Sequence, residues 1–142
     1  PNRYEVIEHE GATIINDAYN ANPRSMQEAL KTLTGYRCKG RRFFVVGDML
    51  ELGDLAEFAH VRLGADIAKY SVDYLVAVGE LSAHVVKSAV ASGMNKKQTA
   101  TASDHKCAVA FLKKYVRPGD CLLVKGSRGS RMEEVIEGFV AY

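Results

Sequence analysis

Short, nearly continuous apolar runs alternate along this chain with stretches whose apolar residues recur every three or four positions. Ala12 to Ile15, Arg42 to Val46, Asp73 to Val78 and Asp120 to Val124 have the length and continuity of strands, and Phe43 to Val46 has the unbroken character of a strand covered on both faces. Helical spacing links Met26, Ala29, Leu30 and Leu33, then Ala56, Ala59, Leu63 and Ile67 in a helix ending near Tyr70. It recurs at Val85, Val86, Ala89 and Val90, at Cys107, Ala108, Phe111, Leu112 and Tyr115, and at Met132, Val135, Ile136, Phe139 and Val140. Asn22, Asp54, Ser82 and either Ser103 or Asp104 stand where N-caps are expected. Pro23 suits a first helical position, and Gly93 and Pro118-Gly119 are stop signals. Arg3 to His9 and Ala12 to Asn16, separated by Gly11, predict a short hairpin. Thr99 to Ala102 is at best a short edge strand.

Strand and helix at this spacing predict an α/β fold: a Rossmann-like three-layer domain with a mostly parallel sheet, helices on both faces and a short N-terminal hairpin. Turns that follow parallel strands open on one edge of such a sheet. Asp17 to Asn22, Gly47 to Gly53, Gly79 to Ser82 and Lys125 to Arg131 are therefore expected to line a common rim.

Composition narrows the possibilities. The chain has 142 residues, 47% hydrophobic and 25% charged, which fits one globular domain. No stretch is long and apolar enough to span a bilayer, and the polar start Pro1 to Glu5 is not a secretory signal. A net charge of +2 gives little support to nucleic-acid binding, and Arg37 to Arg42 is expected to be a solvated basic loop. The three cysteines, Cys38, Cys107 and Cys121, form no C-x-x-C pair and read as free thiols in a reducing compartment.

The rim carries the candidate chemistry. Capping explains Asn22, whereas Asp17, Tyr19 and Asn20 either bond their own turn or form a binding surface. The glycine-rich loop holding Lys125, Ser127, Arg128 and Arg131 suits a carboxylate or phosphate, unless Glu133 and Glu134 simply balance it. Asp48 and Glu51 suit an ammonium group, a cation, or pairing with Lys125. His60 is expected on the surface or boundary of its helix. No phosphate-gripping loop, dinucleotide fingerprint or nucleophile elbow occurs. Residues alone therefore indicate an α/β domain whose rim recognises a small zwitterion or anion.

The segments Asp17 to Met26, Gly47 to Gly53 with His60 downstream, and Lys125 to Arg128 followed by Met132-Glu133 resemble, in order and spacing, the C-terminal domain of the Mur ligases. The forms Tyr19-Asn20-Ala21-Asn22-Pro23 and Lys125-Gly126-Ser127-Arg128 look like the MurF type, which adds D-alanyl-D-alanine to UDP-N-acetylmuramoyl-tripeptide in peptidoglycan synthesis. The resemblance implies one substrate-closing domain over 1–142 within a larger three-domain, cytoplasmic, bacterial ligase, with no catalytic residue and no activity in this domain alone. ATP and Mg²⁺ would be held mainly by a central domain, and the UDP-sugar by an N-terminal one. Asp17, Tyr19, Asn20 and Asn22 would face the nucleotide. Asp48, Glu51, Lys125, Ser127 and Arg128 would serve the dipeptide or domain closure, and no metal ligand is assigned. A stand-alone flavodoxin-like nucleotide-binding or regulatory module is the alternative that fits the same element order.

Overall fold

The computed structural model describes residues 4–141. The expected start of the hairpin at Arg3 and the polar start from Pro1 lie outside them. Six strands form one sheet in the order β1-β2-β6-β3-β4-β5. β1 (Glu5–His9) pairs antiparallel with β2 (Ala12–Asn16). Glu10 and Gly11 join them at φ of 49° and 84°, as a tight primed hairpin turn requires. β3 (Arg42–Gly47), β4 (Tyr74–Val78), β5 (Thr99–Ala102) and β6 (Cys121–Lys125) continue the sheet in parallel with β2. The marginal edge strand forms, at the far side of the sheet.

Alternation along the strands divides the core into two layers. Ile15, Phe44, Val46, Leu75, Ala77 and Leu123 face α1 (Pro23–Gly35), α2 (Ala56–Ile67) and α3 (Ser82–Ala91). Ile14, Phe43, Val45, Val76, Leu122 and Val124 face α4 (His105–Tyr115) and α5 (Glu133–Val140). Phe43 and Phe44 are both fully buried, on opposite faces, each contributing roughly 2–3 kcal/mol of apolar burial. The doubly covered character of the run thus follows from its position next to β6 at mid-sheet.

Two caps behave as expected. Asn22 and Ser25 form a reciprocal capping box with Pro23 opening α1, and Asp104 accepts the Cys107 N–H at the start of α4. Two do not. Asp54 falls within a 3₁₀ turn, Gly53–Leu55, and α2 begins without a side-chain cap. Ser82 is the first residue of α3, its backbone N–H bonded to Asp48 Oδ1 at 2.7 Å, so the cap comes from another loop. Gly79 makes room for that carboxylate: a Cβ there would lie 2.6 Å from the Asp48 oxygens, and its φ is 111°.

The basic loop also differs from expectation at its end. Arg41 and Arg42 are half-buried and bonded to Tyr74, Tyr115, Leu33 and Tyr36, because the adjoining strand draws them against the α1 and α4 C-termini. Among the described residues no helix is long and apolar enough to cross a membrane.

Candidate functional site

Because β2, β3, β4 and β6 are parallel, the turns after them open on the same edge of the sheet. Three of these turns meet in a cleft of about 280 Å³ lined by Tyr19, Asn20, Leu50, Glu51, Ser127, Arg128 and Gly129. An adjoining depression of about 370 Å³ takes in Asp17, Tyr19, Asn20, Asn22, Glu28 and Lys125. Tyr19 and Asn20 border both. The Gly79 to Ser82 turn lines neither, and joins the rim only through Asp48.

Ser127 knits the three turns together. It is 5% exposed, its N–H donates to Asp48 O at 3.0 Å, and its Oγ accepts the Leu50 N–H at 2.7 Å while donating to Ala21 O at 3.3 Å. Ser130 Oγ donates to Ser127 O, and His105 Nε2 on α4 donates to Ser130 O at 2.8 Å. Gly126 lets the loop approach β3: a Cβ there would meet Ser130 and Met132 side chains and lie 3.1 Å from Gly47 Cα. Gly126 thus lets the two rim loops pack closely against each other.

Charge is divided unequally. Lys125 is 4% exposed and its Nζ lies 3.0 Å from Asp17 Oδ2, so its partner is Asp17 and the expected pairing with Asp48 or Glu51 does not form. A part-buried, hydrogen-bonded pair of this kind fixes the geometry of both strand ends. Asp48 is occupied with α3. Arg131 lies 3.9 Å from Glu134, consistent with the balancing role for that acid. Glu51 and Arg128 are both exposed, and among the described residues neither makes an ion pair. The Arg128 guanidinium sits 5.4 Å from the Tyr19 ring centroid, a cation–π arrangement that orients it over the cleft. Glu51 has φ of 64°, uncommon for a residue other than glycine and frequent at binding sites.

His60 corrects the surface reading: it is fully buried, with Nε2 3.0 Å from Met49 N and Nδ1 2.6 Å from Ala56 O. The signal was present, since His60 stands three residues before Leu63 and seven before Ile67 on the buried stripe of α2. Leu50 and Gly129 carried no such signal, and join the cleft only through the approach of the two loops. Among the described residues no group of three or more His, Cys, Asp or Glu could hold a metal ion.

The family described as Mur ligase, glutamate ligase domain, matches residues 2–128. The UDP-N-acetylmuramoyl-tripeptide–D-alanyl-D-alanine ligase of Bacillus subtilis is 35% identical over 139 residues, 97% of this chain and 30% of that protein. Among solved structures, MurF from Acinetobacter baumannii superposes with a TM-score of 0.85 at 30% identity, covering 98% of this chain and 30% of that one. MurF ligase from Thermotoga maritima, solved in complex with ADP, gives 0.81 at 30% identity with the same coverage. The chain thus spans about 30% of the length of these relatives. The family match over residues 2–128 and these relatives together show that the chain belongs to the Mur ligase family, in the family described as glutamate ligase domain.

Proposed function

We propose that this chain is the C-terminal, substrate-closing domain of a cytoplasmic MurF-type ligase that joins D-alanyl-D-alanine to UDP-N-acetylmuramoyl-tripeptide in peptidoglycan synthesis. The observation that carries the reading is the cleft itself, where an uncommitted guanidinium and an uncommitted carboxylate stand among residues of three loops. A dipeptide zwitterion presents the complementary pair of charges. The names of the relatives, which specify this dipeptide and tripeptide as substrates, supply the chemistry to test.

In the proposed reaction ATP passes its terminal phosphoryl group to the tripeptide carboxylate, giving an acyl phosphate and ADP. The dipeptide amine then attacks the acyl carbon; the C–N bond forms, the C–O bond to phosphate breaks, and the nitrogen loses a proton. Both steps occur at one carboxyl group, so nucleotide and dipeptide must bind side by side. The two adjoining clefts sharing Tyr19 and Asn20 suit that requirement. Asp17, Tyr19, Asn20 and Asn22 border the nucleotide side. Arg128 takes the dipeptide carboxylate, backed by the Tyr19 ring, and Glu51 faces the amine end. Lys125, Ser127 and Asp48 act by shaping the cleft, through Asp17, the rim backbone and α3. Holding the amine in line and excluding water is worth several kcal/mol of barrier. ATP and its Mg²⁺ would be held mainly by the central domain of the full ligase.

The test is a chimera in which this chain replaces the matching part of the Bacillus subtilis ligase. ATP-dependent ligation of D-alanyl-D-alanine to the UDP-muramoyl-tripeptide is expected. Ligation of other amino acids in preference to the dipeptide sinks the reading. The 142-residue chain alone should bind the dipeptide too weakly for titration calorimetry, and micromolar binding would instead favour a self-sufficient ligand-binding module.

A further inference from the structure

We infer that His60 is a positioning residue for the cleft, holding the Met49-Leu50 backbone so that Glu51 is presented opposite Arg128; this rests on the ligase reading above. An amide N–H can only donate and a carbonyl can only accept. The Met49 N–H therefore requires an unprotonated Nε2, and Ala56 O requires the hydrogen on Nδ1. The buried ring is neutral, in one tautomer, with both nitrogens committed to backbone on either side of the Gly53–Leu55 turn.

The commitment falls where the main chain lacks ladder partners. β3 ends at Gly47, and two amides beyond it are taken by side chains: Met49 N by His60, Leu50 N by Ser127 Oγ. Glu51 comes next, in the left-handed region that a non-glycine residue holds only where its surroundings over-determine it. Its own side chain makes no hydrogen bond or ion pair among the described residues, so the preceding backbone sets its direction. Filling space on α2 asks only for an apolar side chain of similar size. Accepting the Met49 N–H asks for a nitrogen or oxygen where Nε2 stands.

Two variants separate these roles. His60→Phe keeps ring volume and loses the acceptor; His60→Gln places an amide oxygen near Nε2 and keeps it. In the chimera, His60→Phe is expected to raise KM for D-alanyl-D-alanine about tenfold, because the loop that presents Glu51 is no longer held in place, with KM for ATP unchanged. His60→Gln should recover most of that loss. In the 142-residue chain, nitrogen NMR should report the Nδ1–H tautomer, and amide exchange at Met49 and Leu50 should quicken in His60→Phe. Equal dipeptide KM in wild type and His60→Phe, or failure of His60→Gln to rescue, overturns the inference. An inactive wild-type chimera counts against the ligase reading, and the NMR measurements then decide the clamp separately: the Nε2–H tautomer, or fast Met49 exchange in wild type, overturns it.

Discussion

At the amino-terminal edge of the sheet, Asp120 is 2% exposed and accepts the Arg41 and Arg117 N–H groups at 2.8 and 2.7 Å, with the Arg41 guanidinium at 3.7 Å. Arg41 Nη1 and Nη2 donate to Tyr74 OH and Tyr115 O, and Asp73 accepts the Arg42 N–H. At the carboxyl edge Lys125 and Asp17 close on each other in the same way, but Glu51 and Arg128 stay exposed beside a cleft. Both edges are rich in charge. The Asp120 cluster is consumed by the fold, whereas Glu51 and Arg128 leave opposite charges available to a ligand beside the cleft.

The contrast can be tested from its stronger side first. Asp120→Ala leaves two amides and a guanidinium without their acceptor and should cost about 3 kcal/mol by urea unfolding, while ligation per folded chimera is unchanged. Arg128→Ala should do the reverse: kcat/KM for the dipeptide falls about 100-fold, with stability within about 0.5 kcal/mol. If Arg128→Ala unfolds the chain or leaves ligation intact, the division between the two edges is wrong.

Alkaline pH probes the closed edge again. Burial, then the hydrogen bond and charge of Cys38, push the Cys121 thiol up to about 12 from 9.0. Between those values the unfolded chain has lost a proton that the native chain keeps. Stability is therefore whole below pH 9 and falls as pH rises toward 12, by at most about 1.4 kcal/mol per unit. Cys121→Ala should flatten that slope in unfolding curves taken at successive pH. The smallest effect belongs to the open edge: Asn22→Ala removes the α1 cap and should cost about 1 kcal/mol in thermal or urea unfolding.

Much of this arrangement is local and so legible in order along the chain. Phe43 to Val46 reads as a doubly covered strand because its apolar run is unbroken, and Asn22-Pro23 reads as a helix start because cap and proline act within one turn. Asp54 and Ser82 show where local reading stops: both have cap chemistry, yet Asp54 falls inside a 3₁₀ turn and Asp48 from another loop takes the α3 N-terminus. The same holds for Lys125, whose partner could be named only once β2 and β6 were adjacent.

The sequence by itself determined the element types, the parallel sheet and therefore the edge at which the polar turns gather, since each depends on short-range periodicity and on the geometry of parallel strands. Tertiary structure alone decided which charges are spent and which remain. Lys125 with Asp17, His60 with Met49, and Ser127 with Leu50 and Ala21 are pairings across 108, 11, 77 and 106 positions. The last residues in question, Glu51 and Arg128, stay available because the folded neighbours have already satisfied one another.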